Sequence, residues 1–271
     1  MLNSSVSILG CGWLGLPFAE RLLTEGYAVK GSTTQDSKMI QLRNAGIEPF
    51  LLKCSPKLEG EDFYPFFHSD VLFLTIPFKR DLIDPFYYYD QIQSIISEVN
   101  RSSIKFVVFS SSTAIYRSSV EVASEWDPID PDNPRSHVLH KIEQLLINNK
   151  NFQSTIIRFA GLYGGERHLG RFPKTPRIKG RNGQSLVNLI HLDDCIEIVF
   201  RIIHNNVTGE IFNAVSDSHP TRQELYTRKA MELGIEPPVF DQCSGEIRKI
   251  VSNKKLKDAL NYQFIHPDPL K

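Results

Sequence analysis

Gly10-Cys11-Gly12-Trp13-Leu14-Gly15 sets three glycines at GxGxxG spacing directly after the apolar run Val6-Ser7-Ile8-Leu9 and ahead of Leu16-Pro17-Phe18-Ala19-Glu20-Arg21-Leu22-Leu23. In such a turn the first glycine permits a sharp reversal and the second lets backbone approach a pyrophosphate. The third lets the helix pack closely on the strand, and the amides opening that helix serve as phosphate donors. The chemistry implied is dinucleotide binding, with Gly10, Gly12, Trp13, Leu14 and Gly15 on the phosphate side. Glycine turns without ligands are common. The strand before this one and the helix after it are what give it meaning.

The second half of the dinucleotide selects between cofactors. An NAD site usually carries an acid at the tip of the second strand, roughly 20 residues beyond the glycines, to hold the ribose hydroxyls. Here that stretch reads Gly31-Ser32-Thr33-Thr34-Gln35-Asp36-Ser37-Lys38, with hydroxyls at the tip and no acid before Asp36. The pattern points to NADP, with Ser32, Thr33, Thr34 and Lys38 as candidate contacts. A small register shift would make Asp36 the NAD acid, so NAD stays open, and Ser and Thr are also ordinary turn residues.

These residues need a scaffold, and the flanking pattern supplies one. Val6–Gly10, the glycine turn, Leu16–Gly26 and Tyr27–Thr33 read as strand, turn, helix and strand, the unit of a parallel sheet. Short apolar runs bounded by Gly, Pro, Ser or Asp continue at Ile47–Leu52, Val71–Ile76, Phe106–Ser110 and Thr155–Phe159, with helical periodicity at Tyr89–Val99 and Val138–Asn148. Further on, Leu186–His191 reads as a strand, and Asp193–Ile203, Thr221–Leu233 and Ser252–Leu260 as helices. The expected fold is α/β: a doubly wound parallel-sheet Rossmann core over residues 1–163, with 186–214 returning to it. A small C-terminal α+β substrate or cap lobe would take 164–185 and 215–271.

Composition excludes several classes. With 31 basic and 31 acidic side chains in 271 residues, there is no global electrostatic case for nucleic acid or an anionic membrane. No apolar run approaches the roughly 20 residues of a membrane span. The N-terminus lacks the basic start of a signal peptide and reads as mature structure. Cys11, Cys54, Cys195 and Cys243 lie far apart without a CxxC, so neither a disulfide framework nor a metal site is expected, and a cytoplasmic setting is. No internal repeat or low-complexity tract is present.

Four further stretches carry a family resemblance. Phe109-Ser110-Ser111-Ser112-Thr113-Ala114-Ile115-Tyr116 resembles the serine segment of extended short-chain dehydrogenases/reductases, the NAD-dependent epimerase/dehydratase superfamily. Ile157-Arg158-Phe159-Ala160-Gly161-Leu162-Tyr163-Gly164 is similar to its RxxxxYG strand and turn. Asn188-Leu189-Ile190-His191-Leu192-Asp193-Asp194 is similar to its IHVDD segment, and Gly209-Glu210-Ile211-Phe212-Asn213-Ala214 to its GxxxN strand. The GxGxxG spacing, in place of GxxGxxG, marks an atypical branch.

The resemblance implies hydride exchange with a nicotinamide, a serine holding the substrate oxygen, and a Tyr and Lys spaced i, i+4 on one helix face. Ser112 takes the serine position. Ser110, Ser111 and the segment Thr75-Ile76-Pro77 would line the cofactor. The YxxxK pair is missing: aligned through Glu143-Gln144, Arg135 takes the tyrosine position and Leu139 the lysine position. His137 and Lys141 keep the spacing, but they sit two residues out of register, roughly 200° round the helix. Tyr116 and Tyr163, both after strand ends, are the other candidate acid/base groups. Tyr163 also reads as packing, as does Tyr87-Tyr88-Tyr89. His191 and Asp194 read as a brace, with an Asp capping the following helix.

From Gly164 to Gln184 the chain carries Arg167, Arg171, Lys174, Arg177, Lys179 and Arg181 against the single acid Glu166. As a cap this stretch would favour an anionic small molecule, such as a phosphorylated or nucleotide-linked sugar, with Arg167, Arg171 and Arg177 as contacts. As a solvated loop it would favour nothing. The expected activity is therefore oxidoreduction or epimerisation of a small polar substrate, with a homodimer left open. The alternative is a catalytically degenerate NAD(P)-binding redox sensor. A β-hydroxyacid-type dehydrogenase would need an all-helical second half, which the strand-rich 155–214 does not offer.

Overall fold

The computed structural model describes residues 5–79, 82–169, 177–178, 182–240 and 248–271, the side chains of 177–178 excepted. In chain order the strands are β1 (Ser5–Leu9), β2 (Ala28–Thr33), β3 (Glu48–Leu51), β4 (Lys53–Cys54), β5 (Leu58–Glu59), β6 (Val71–Leu74), β7 (Phe106–Ser112), β8 (Val122–Ala123), β9 (Gln153–Phe159), β10 (Gly161–Tyr163), β11 (Arg177–Ile178), β12 (Leu189–His191), β13 (Ile211–Ala214), β14 (Val239–Phe240) and β15 (Ile250–Val251). The helices are α1 (Gly15–Thr24), α2 (Met39–Asn44), α3 (Phe86–Val99), α4 (Pro134–Ile147), α5 (Leu192–His204), α6 (Arg222–Glu232) and α7 (Lys254–Leu260).

Seven strands form one parallel sheet in the order β13-β9-β7-β6-β1-β2-β3. The order reverses between β1 and β6, which pair in register from Val6 with Val71 to Leu9 with Leu74. In doubly wound sheets, ligands bind outside the carboxyl ends of the strands at such a switch point. The central strands are apolar because helices cover both faces: all four residues of β6 and Phe106–Phe109 of β7 are buried. Helix α1 buries Gly15, Phe18, Ala19 and Leu22 at helical spacing, and Phe18 packs edge-on to Phe73 of β6 at 5.2 Å. Asn133 caps α4 by accepting the Arg135 amide, with Pro134 at the first position, and Thr221 and Glu224 form a reciprocal capping box on α6.

The chain divides into two compact units. The first comprises Met1–Ile115, Pro131–Ile157 and Ile196–Ile211, and the second Tyr116–Asp130, Arg158–Cys195 and Phe212–Lys271. The second unit therefore takes more chain than the 164–185 and 215–271 expected of a cap lobe. Within it β10 pairs with β12, β11 with β14 and β8 with β15. The strand expected over Leu186–His191 shortens to Leu189–His191, because Leu186 forms only an isolated bridge to Thr221. Among the described residues no helix is long and apolar enough to cross a membrane.

Candidate functional site

In the first unit the glycine turn leaves β1 at the sheet's switch point. Gly10 has φ +114°, and a Cβ there would stand 3.2 Å from the Thr75 carbonyl oxygen. A Cβ on Gly15 would lie 2.2 Å from the Gly10 carbonyl oxygen, so this glycine serves packing. At Gly12 an added Cβ would meet nothing within 4 Å: the second glycine leaves open room. The Gly12 amide donates to the Gly10 carbonyl at 2.8 Å, while the amides of Leu14 and Gly15 have no acceptor among the described residues. Open room at the second glycine, with two amides at the start of α1 that have no acceptor among the described residues, fits a pyrophosphate. Leu14 is itself buried, so only its backbone can serve a ligand. The Cys11 thiol is buried and pushed up to about 12 by desolvation, which makes it inert packing.

Ser32, at the end of β2, has a structural partner in the glycine turn. Its Oγ accepts the Gly10 amide at 2.9 Å and its carbonyl accepts the Cys11 amide at 2.9 Å, so its side chain braces the turn while its own O–H remains a donor. Thr33 accepts the Gln35 amide at 3.1 Å and Thr34 is exposed. Beyond them Asp36, Glu59, Glu61 and Asp62, with Lys53 the only cation, line a pocket of about 690 Å³ at the ends of β2 and β3.

The segment after β6 is clamped from two helices. Tyr88 on α3 donates its hydroxyl to the Ile76 carbonyl at 3.0 Å, and Phe78 stacks on its ring at 4.4 Å. Arg135 on α4 lies over the other ring, 3.7 Å from the Phe78 centroid, and donates to the carbonyls of Phe78 and Lys79 at 3.0 and 2.8 Å. The position expected to hold a phenol thus holds a guanidinium that supports Phe78 and Lys79, which continue the Thr75-Ile76-Pro77 segment. It cannot exchange protons near neutrality. Leu139, one turn on, is buried.

At the end of β7 the three serines separate by strand alternation. Ser111 is buried and donates to Glu143 Oε1 of α4 at 2.6 Å, so its side chain is structural. Ser110 and Ser112 are half-buried on the other face, and Ser112 Oγ accepts the Ala114 amide at 3.2 Å. His137 does not join them. It is exposed, its Nε2 lies 2.7 Å from the Pro131 carbonyl, and the buried residues of α4 are Ser136, Val138, Leu139, Ile142, Glu143 and Leu146.

In the second unit Tyr116 is locked in a buried network. Its hydroxyl donates to Asn213 Oδ1 at 2.8 Å and accepts from Arg158 at 2.7 Å, while Glu125 accepts the Asn213 amide at 2.7 Å. A buried guanidinium needs such partners, and burial raises the phenol further from useful proton exchange. Tyr163 has a different setting. It lines a pocket of about 370 Å³, together with Arg167, His191, Lys229 and His266, and burial with the nearby Asp194 pushes its hydroxyl up to about 12. Arg171 lies outside the described residues, as do Lys174, Lys179 and Arg181, and Arg177 is described only as backbone of β11.

The His191 segment is a brace, as expected, though differently built. Helix α5 begins at Leu192, so Asp193 and Asp194 fall in its first turn, and His191 Nδ1 accepts the Asp193 amide at 3.2 Å. Buried Asp194 accepts from Tyr262 and from the Ile265 and His266 amides at 2.7, 2.7 and 3.0 Å. His191, Asp193 and His266 bring their ligand-type atoms within 4.8 Å of one another. Neither Lys229 nor His266 carries a sequence signal, because both reach the pocket from far along the chain.

No protein-family model matches the chain. Its fold is that of the short-chain dehydrogenase/reductase and NAD-dependent epimerase/dehydratase superfamily. A short-chain dehydrogenase/reductase superfamily protein from Agrobacterium tumefaciens with bound NAD superposes at TM-score 0.78, 15% identical over 96% of this chain and 92% of that one. UDP-glucuronic acid 4-epimerase from Bacillus cereus, in complex with a fluorinated UDP-glucuronic acid and NAD, does so at 0.79, 16% identical over 98% and 96%. In sequence, Protein YeeZ of Escherichia coli strain K12 is 32% identical over 271 residues, 98% of this chain and 97% of that protein. The chain belongs to the YeeZ family.

Proposed function

We propose that this chain binds a nicotinamide dinucleotide at the glycine turn and uses it as an oxidoreductase or epimerase on a small polar, sugar-like substrate. The supporting observation is a glycine turn with open space at Gly12 beside Leu14 and Gly15 amides that have no acceptor among the described residues. The bound nicotinamide would supply or accept hydride. Ser112 would hold the reacting oxygen, and the clamped Thr75–Lys79 strap would position the cofactor. Tyr163 lines a pocket of the second unit, and burial with Asp194 keeps its hydroxyl protonated near neutrality, so it is not assigned as the acid/base.

For the cofactor we favour NAD over NADP. The hydroxyl tip alone favours NADP, but Ser32 is engaged by the turn, and four carboxylates against one lysine line the pocket beyond β2. A 2′-phosphate there would meet like charge.

A second reading, dinucleotide sensing without turnover, is favoured by one observation: Arg135 and Leu139 stand where the family's proton-transfer pair belongs. Titration of NADH and NADPH by fluorescence, followed by turnover assays on nucleotide sugars and keto-sugars with Ser112→Ala as control, separates the readings. Turnover abolished in Ser112→Ala supports the enzyme. Tight NADH binding without turnover supports the sensor. Failure of both cofactors to bind sinks both.

A further inference from the structure

We infer that the pocket of the second unit is a binding site for a small phosphate monoester, with Arg167 and Lys229 as its charged contacts. The inference sharpens the anionic-substrate side of the reading above, and it concerns residues of the second unit alone. The pocket holds about 370 Å³, within the range of small-molecule sites and sufficient for a sugar phosphate. Arg167, Lys229 and Lys271 line it, and Glu232 is the only acidic side chain in its described lining.

The local backbone is shaped for this arrangement. Gly164 and Arg167 exchange amide-to-carbonyl hydrogen bonds at 3.1 and 3.0 Å, closing a tight turn in which Gly164 and Gly165 take φ +99° and +54°. A Cβ on Gly164 would stand 2.5 Å from His191 Nε2, so glycine is required for the turn to lie against the imidazole. That turn presents Arg167 on one wall. Lys229, whose side chain is 18% exposed, comes from α6 on another and bonds Glu232 at 2.9 Å. The ring of Tyr163 and the side chains of Leu169 and Leu233 offer apolar surface for a carbon skeleton. A guanidinium fork and an ammonium converging over apolar walls suit a phosphate ester.

The His191–Asp193–His266 group could instead suggest a divalent cation. His191 Nδ1 already accepts the Asp193 amide, Asp193 Oδ2 lies 2.9 Å from His266 Nε2, and the adjoining lining is cationic. The engaged His191 nitrogen and the cationic lining oppose a cation.

The test is calorimetric titration of the full chain with inorganic phosphate, ribose 5-phosphate and zinc. Ribose 5-phosphate should bind at least about tenfold more tightly than inorganic phosphate. Arg167→Gln and Lys229→Met should each weaken it by about tenfold, a step of 1.4 kcal/mol. Glu232→Gln, which frees Lys229 from its competitor, should tighten it by about threefold, a change that a merely structural role for the pocket would not produce. NADH binding in all three variants should match the parent, so loss of the dinucleotide reading would leave this result standing, and the reverse. Absence of phosphate-ester binding, binding indifferent to Arg167→Gln and Lys229→Met, or zinc binding that perturbs the His191 and His266 resonances would overturn the proposal.

Discussion

Ser32 Oγ accepts the amide hydrogen of Gly10 at 2.9 Å, tying the tip of β2 to the turn that leaves β1. The neighbouring Ser32 carbonyl takes the Cys11 amide, so one residue fixes two donors of the glycine turn. Ser32→Ala should strand the part-buried Gly10 amide at a cost of about 1–3 kcal/mol. NADH affinity should fall with it, because the amides of Leu14 and Gly15 lose their fixed orientation. Denaturant titration and NADH fluorescence on the same variant check both. Unchanged affinity would mean that the turn holds its shape without this bond.

The three glycines separate by substitution. Gly12→Ala places its methyl in open space, so stability should stay within about 1 kcal/mol of the parent while NADH affinity drops by at least about tenfold. Gly15→Ala drives its methyl into the Gly10 carbonyl and should cost about 1–3 kcal/mol or more. Thermal unfolding beside NADH titration reads the difference. Equal loss of stability in both variants would contradict the assignment of the second glycine to the ligand.

Arg135 should behave as a positioning residue. Its two donors reach two successive carbonyls and its plane lies on Phe78, a geometry that a lysine cannot reproduce. Arg135→Lys and Arg135→Met should therefore weaken NADH binding to a similar degree, about tenfold. Direct titration checks it. Rescue by lysine would show that charge alone matters there.

The core of the first unit was legible because buried parallel strands are short apolar runs bounded by Gly, Pro and Ser, and β1, β6 and β7 all read that way. The side chains of the site were less so. Ser32 and Thr33 alternate across β2, but nothing in their identity says which of the two faces the glycine turn. Ser111 and Ser112 pose the same problem on β7, where only the Glu143 contact decides. Arg135 was visible as a departure from a tyrosine position. Its function was not, because its partners are backbone carbonyls, which every sequence has. The pocket of the second unit joins Arg167, His191, Lys229 and His266, and no local pattern brings residues so far apart in the chain together.

Asp194 bears the attachment of the C-terminal segment through three accepted hydrogen bonds from Tyr262, Ile265 and His266. Asp194→Asn keeps the shape but replaces one acceptor oxygen by a donor facing those N–H or O–H groups. A cost of about 3 kcal/mol or more is expected from buried donors left unpaired. Urea denaturation measures it, and protease sensitivity near residues 262–266 should rise in parallel. A variant as stable as the parent would show the segment to be held by packing alone.

Acid should destabilise the chain through imidazoles before carboxylates are reached. Burial lowers the pKa of His191, with His266 adding to the effect, and burial also lowers that of His219. Both fold as neutral rings, so on acidification the unfolded chain takes up protons first, near its ordinary 6.5. Stability is then constant above that pH, falls as pH drops below it, and levels once the folded imidazoles also protonate. The lowered carboxylates of Asp127, Glu224 and Glu232 act in the same direction only at more acid pH, below their ordinary 3.8 to 4.5. Chemical denaturation at about pH 5.5 and 7.5 isolates the imidazole window, and His219→Gln should flatten part of the difference. A chain more stable at the lower pH would show that these rings gain a proton and a partner on folding, the reverse of what their burial dictates.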